Sequence, residues 1–202
     1  MEAVYDPATG LHRCGDLGMS VAMSDELLAM SYLRFRAEGS LESIYYEKVP
    51  TLTEFLQACA KPTCACLGGF VDNNLAGVCW AFNYQEMGHL NKAELGFGFF
   101  DAVATSRQKV ELGRLAIDVI FTNFRVDVLT GITPEPNRAA RRFTRACGFE
   151  MQSEPVKNAI VWEGALASAY HSSLTRADWL ARQKPQRLGL DVRDFKTAEE
   201  AA

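Results

Sequence analysis

The residue pattern predicts an α+β fold, a mixed and mostly antiparallel twisted sheet flanked by helices. Three observations carry this expectation. Apolar residues recur at helical spacing in two early segments, change to strand-like runs between residues 64 and 100, and then alternate between helix and strand. The runs on either side of Asp72-Asn73-Asn74 have the turn chemistry of a hairpin, because Asn and Asp tolerate the left-handed backbone. The strand-helix-strand step across 93–132 calls for a parallel pair with a right-handed crossover.

Taken in order, Ser24 is placed to cap a first helix, with Asp25 and Glu26 in its opening turn and Gly39 as its stop. Leu27, Leu28, Tyr32 and Phe35 form its expected inner face. Thr51-Leu52-Thr53-Glu54 has capping-box spacing and opens a second helix carrying Phe55, Leu56 and Cys59. Strands are expected from Cys64 to Val71, from Leu75 to Tyr84 and from Ala93 to Phe100. The third reads AELGFGFF and sets Gly96 and Gly98 on one face, where small residues either leave room for a ligand or permit tight packing. A helix follows, with Leu112, Leu115, Ala116, Val119 and Ile120 at core spacing. Val126 to Ile132 is a strand, and the segment TPEPNRAARRFTRACGFE then turns into a short basic helix. Its apolar stripe is Ala139, Phe143, Ala146 and Cys147, and Gly148 sits at the left-handed cap. Extended stretches around Ala159 to Trp162 and Ala169 to Leu174, and a helix from Thr175 to the Lys184-Pro185 stop, complete one expected domain over 1–183. Residues 184–202 are polar and are expected to form a tail.

The 202 residues suffice for one well-buried core, and 48% hydrophobic with 23% charged residues describe a globular chain. A net charge of −4 argues against nucleic acid or an anionic membrane as partner. The N-terminus lacks a signal-peptide pattern, so a cytoplasmic location is expected. Six cysteines then sit in a reducing compartment without the C-x-x-C spacing of structural zinc, and the three His show no ligand spacing, so no metal is expected. Cys64 and Cys66 share one strand face, where reduced Cys acts as a small hydrophobe.

Four pieces in this order resemble the GNAT superfamily of N-acetyltransferases, especially the branch acting on protein N-termini and ribosomal proteins. The most specific is N-x-x-A followed after seven residues by G-F, met by Asn137, Ala140, Gly148 and Phe149. AELGFGFF, VELGRLAIDVIF and YHSSLTRADW are similar to that branch's fourth strand, the helix after its pyrophosphate loop, and its last strand with closing helix. The resemblance implies a GNAT-like sheet, acetyl-CoA as co-substrate and no metal. It also implies a small-molecule or peptide amine acceptor, and leaves a homodimer open.

By the same resemblance Glu94 falls where a general base stands, with an exposed strand acid as the alternative reading. Thr144 falls on the thiolate-protonating Tyr, though its hydroxyl is a weak acid. Phe99 on the splayed strand, Asn137, and Arg138 and Arg141 of the basic stripe that also holds Arg142 and Arg145 fall on the cofactor side. The pyrophosphate loop departs from its pattern, reading ATSRQK over Ala104 to Lys109, so that Arg107 stands at the central Gly and Lys109 at the final small residue, with Gln108 between them. A register beginning at Gln108 recovers Gly113 but leaves Glu111 at the central Gly. Either Arg107, Gln108 and Lys109 replace amide donors with side chains, since Arg matches phosphate geometry, or catalysis is lost and the chain is a binding module.

Overall fold

The structure is a computed structural model and describes residues 4–46 and 48–183. The expected tail at 184–202 lies outside the described residues. The chain opens with three short strands, β1 (Val4–Asp6), β2 (Leu11–Cys14) and β3 (Leu17–Ser20). The pattern gives no warning of them, because runs of three or four residues are too short to show a period. Gly10 and Gly15, at φ 67° and 63°, make the turns between them.

Helix α1 (Asp25–Ala37) is capped by Ser24, whose Oγ accepts from the Leu27 N–H at 3.3 Å, and it ends before Gly39 at φ 66°. Leu28, Tyr32 and Phe35 are buried as expected, whereas Leu27 is only half-buried. A four-residue helix α2 (Leu41–Ile44) precedes α3 (Leu52–Cys59), which carries the full capping box between Thr51 and Glu54. The hairpin of β4 (Ala65–Val71) and β5 (Asn74–Met87) turns through Asp72 and Asn73 at φ 48° and 65°. A second hairpin joins β5 to β6 (Leu90–Phe99) through Gly88. The rest is α4 (Ser106–Asn123), β7 (Val128–Pro134), α5 (Arg138–Ala146), a two-residue strand β8 (Glu150–Met151), β9 (Val156–Trp162), β10 (Ala165–Thr175) and α6 (Arg176–Gln183).

The sheet runs β1-β2-β3-β4-β5-β6-β7-β10-β8, with β9 also paired to β10. Every pairing is antiparallel except β6 with β7, the pair joined through α4. Strand alternation divides the core between two faces. Cys79, Ala81 and Ala93 face α4, whose Leu112, Ala116, Ile117 and Ile120 are fully covered. Val78, Trp80 and Phe100 face α1 and α3 and meet Phe35 and Phe55.

Two glycines are explained by close approach. A Cβ on Gly98 would lie 2.7 Å from Phe35 Cζ and 3.0 Å from Ile44 Cδ1, so its smallness lets α1 and the end of α2 seat against β6. A Cβ on Gly113 would lie 2.7 Å from both Cys147 Sγ and Phe143 Cζ. Gly113 therefore belongs to the packing of α4 against α5, two turns inside the helix, and the alternative loop register is excluded.

Candidate functional site

The site arises where two parallel strands part. β6 and β7 pair only through Lys92 with Val128, Ala93 with Leu129 and Glu94 with Thr130. Beyond this β6 continues to Phe99 with its other edge on β5, and β7 continues to Pro134 with its other edge on β10. The facing edges from Leu95 and Gly131 onward thus present backbone groups with no partner from the opposite strand, in a place where such groups require one. A bulge marks the branch point, since Asn83, at φ 52°, and Tyr84 together oppose Ala93. Bulges bend a strand and increase its twist.

A groove of ≈ 660 Å³ runs along this open edge. Gly96 to Phe99 form one wall. Phe97 and Phe99 stack with centroids 6.0 Å apart, and Phe143 of α5 stands edge-on to them at 5.0 and 5.4 Å. Ala139, Ala140, Arg142 and Ala146 continue the α5 side, and Ile44 at the end of α2 and Tyr46 just after it close the groove. The Tyr46 hydroxyl donates to the Ile132 carbonyl at 3.4 Å, on the open edge of β7. Ala139, Phe143 and Ala146 of the apolar stripe therefore line the groove while Cys147 is buried, and no residue within α5 itself is buried.

Two helix N-termini point their polar ends to this groove. Asn137 caps α5, its Oδ1 accepting from the Ala140 N–H at 3.0 Å, while no hydrogen bond engages its Nδ2 among the described residues. At α4 the structure departs from the expected loop. Ser106, Arg107, Gln108 and Lys109 form no loop but the first turn of the helix, and Thr105 is its cap. Thr105 and Gln108 build a capping box, with Thr105 Oγ1 accepting from the Gln108 N–H at 3.3 Å and Gln108 Oε1 from the Thr105 N–H at 3.0 Å. Gln108 Nε2 also reaches Asp16 Oδ2 at 3.2 Å, so its side chain is fully engaged. The Arg107 guanidinium, 87% exposed, turns to Glu111 at 2.8 Å, which holds it above its usual pKa. Lys109 lines the groove, and its ammonium pairs with Asp101. The lysine side chain is 20% exposed and the aspartate 93%.

Other expected positions divide. Phe99, Asn137 and Lys109 line the groove together. Arg138, Arg141 and Thr144 do not line it. Helical phase explains the difference, because Arg142 shares the face of Ala139 and Phe143 whereas Arg141 projects onto the Tyr170 ring, 5.2 Å from its centroid. Arg142, Ser106 and Tyr46 are groove residues that the sequence reading did not select. The first carries a usable signal, its spacing of three from Ala139.

Glu94 is the last residue of β6 paired with β7 and lies on the opposite side of the branch, in a second basin of ≈ 660 Å³. Phe82, Glu94, Thr130 and Ser173 form one row across β5, β6, β7 and β10. Ile132 and His171 lie side by side one step further along. Lys92, Glu150 and His171 add the remaining ionisable groups of the basin. Among the described residues no group of three or more His, Cys, Asp or Glu is arranged to hold a metal ion, and no helix is long and apolar enough to cross a membrane.

No family model and no curated protein matches the sequence. Solved structures do match the fold. Ribosomal-protein-S5-alanine acetyltransferase from Vibrio fischeri is 12% identical, with a TM-score of 0.66 over 84% of this chain and 98% of that one. Spermidine N-acetyltransferase from Vibrio cholerae, in complex with CoA and spermine, is 13% identical, with a TM-score of 0.68 over 83% and 99%. Mycobacterium smegmatis RimJ, in complex with CoA-disulfide, is 13% identical, with a TM-score of 0.68 over 84% and 88%. The parted parallel strands, the order of the sheet and these likenesses together show that the chain has the fold of the GNAT N-acetyltransferases.

Proposed function

We propose that the protein is an N-acetyltransferase that takes acetyl from acetyl-CoA and delivers it to a primary amine, of a protein N-terminus or a small molecule. The observation that supports this most is the gap between β6 and β7, with a groove on one side and Glu94 on the other. The residues present fit a CoA-like ligand. The open edge of β6 offers amide and carbonyl groups to an extended pantetheine, the three Phe rings offer apolar cover, and Ser106, Lys109 and Arg142 offer donors to phosphates. When bound, acetyl-CoA supplies an activated acyl group on a good leaving thiol. Glu94 accepts the proton of the attacking amine, directly or through one water, with the acyl group held in the groove and the amine entering from the Glu94 basin. Thr144 lies outside the groove lining, so proton return to the thiolate is assigned to solvent.

A second reading is favoured by one feature. The capping box and the Asp101–Lys109 pair already engage donors that phosphates would use, as suits a binding module that has lost catalysis. Thermal unfolding with acetyl-CoA, followed by thiol release over a panel of amines and peptides, separates the two. Ligand at 100 times its Kd adds about 2.7 kcal/mol, or about 5 to 10 °C for a domain of this size. No shift at millimolar acetyl-CoA refutes the enzyme reading, and a shift without thiol release supports the binding module.

A further inference from the structure

Cys59 ends α3, Cys64 precedes β4, and Cys66 lies within it. The Cys64 and Cys66 Sγ atoms are 3.7 Å apart, within contact and on one face of the sheet. Both are half-buried, so they are closed neither to each other nor to small solutes, whereas Cys79 and Cys147 are buried. Two residues apart on a strand, their Cα atoms are separated by about 6.6 Å, inside the upper limit of about 6.8 Å for a disulfide. Closing the bond also requires the Cβ atoms to approach to about 3.5–4.5 Å, closer than neighbours on one face of an extended strand, so Cys64, which precedes the first paired residue Ala65 and donates its N–H to the Lys61 carbonyl, must swing its backbone toward Cys66.

From this geometry we infer that Cys64 and Cys66 are a redox-active dithiol, which a hydroperoxide converts to a reversible disulfide. The Cys64 thiolate attacks one peroxide oxygen, breaking the O–O bond and forming a sulfenic acid, and the other oxygen leaves as an alcohol, or as water when the oxidant is hydrogen peroxide. The Cys66 thiol then displaces the sulfenic oxygen as water and forms the S–S bond. Two thiols lose two electrons and two protons, and the hydroperoxide is reduced. The roles are unequal. Cys66 donates a hydrogen bond that holds the Cys64 thiol below its usual pKa, with help from Lys61 and against burial. Hydrogen bonds to Cys59 and Cys64, and then burial, push Cys66 up. Cys64 is therefore the attacking group and Cys66 the resolving one. The pair sits on the sheet face of Glu94, since Cys66 opposes Trp80 and Trp80 opposes Gly96. Tyr45, which neighbours all three thiols, joins Ile44 to Tyr46 at the groove wall.

The test treats the full chain with excess hydrogen peroxide, alkylates remaining thiols, and measures intact mass for the wild type, C59S, C64S and C66S. The expected result is a loss of two hydrogens in the wild type and C59S, restored by dithiothreitol, with no such loss in C64S or C66S. A disulfide that persists in C64S, or a wild type in which both thiols alkylate fully after peroxide, overturns the assignment. Circular dichroism of each variant confirms folding, and C64A replaces C64S if the hydroxyl proves disruptive.

Discussion

Lys109 and Asp101 give opposite predictions from one ion pair. If Lys109 is the groove's main phosphate partner, K109A removes a charge-assisted contact of about 1.5–3 kcal/mol, which weakens CoA binding roughly 10- to 150-fold. Asp101 competes for the same ammonium, and its side chain is 93% exposed, so the pair itself contributes only about 0.2–1 kcal/mol. Relieving that competition in D101N should tighten CoA about 1.4- to 5-fold. Calorimetric titration with CoA and with pantetheine, which lacks the phosphates, reads both effects. Pantetheine affinity should be the same in all three proteins. Weaker CoA binding by D101N than by wild type, or a K109A variant that loses as much pantetheine affinity as CoA affinity, refutes Lys109 as the phosphate partner. Neither variant removes core contacts, so thermal unfolding should confirm near-native stability.

Three further outcomes are expected. E94Q should leave CoA affinity unchanged and lower kcat by about 10²- to 10⁴-fold, as loss of a general base does, and an unchanged kcat removes Glu94 from the mechanism. G98A should destabilise by about 1–3 kcal/mol through overpacking against Phe35 and Ile44. G96A, whose added Cβ meets nothing nearer than 3.6 Å, should spare stability yet narrow the groove, as thermal unfolding and CoA titration of the pair would show. Glu54 has its pKa lowered to about 2 from 4.5, first by the Thr51 backbone N–H and then by Lys48. A depressed carboxylate contributes stability that is present above pH 4.5 and lost as pH falls through about 2, so the urea midpoints of wild type and E54A should converge across that window.

What was legible in the sequence followed the range of the interaction that encodes it. Ser24, Thr51 and Gly148 act on backbone within four residues, and each caps the helix end expected of it. Thr105 and Gln108 carry the same signal, T-x-x-Q, inside the segment that the resemblance makes a loop, and the local cap prevails. The second basin was not legible, since Glu94, Thr130, Glu150 and His171 come from four strands and meet only through the sheet's pairing. Arg141 and Arg142 differ by one position, yet helical phase sends one to Tyr170 and the other to the groove.

The self-capped start of α4 narrows what the groove can hold and how. A helix leaves its first N–H groups without intrahelical partners, and the box engages those of Thr105 and Gln108. The N–H groups of Ser106 and Arg107 have no hydrogen-bond partner among the described residues, and no acidic side chain stands in the first turn to neutralise the helix's positive end. An anion there meets two amides, the Ser106 hydroxyl and the Lys109 ammonium, a grip made more of side-chain charge than of glycine-lined backbone. Such a grip weakens with salt where a buried amide cradle does not. The apolar face of α5 and the Phe97–Phe99–Phe143 cluster, left open beside it, supply the salt-independent remainder. The proposed binding of a CoA-like ligand therefore divides its labour, with apolar cover for the pantetheine end and Lys109 for the phosphate end.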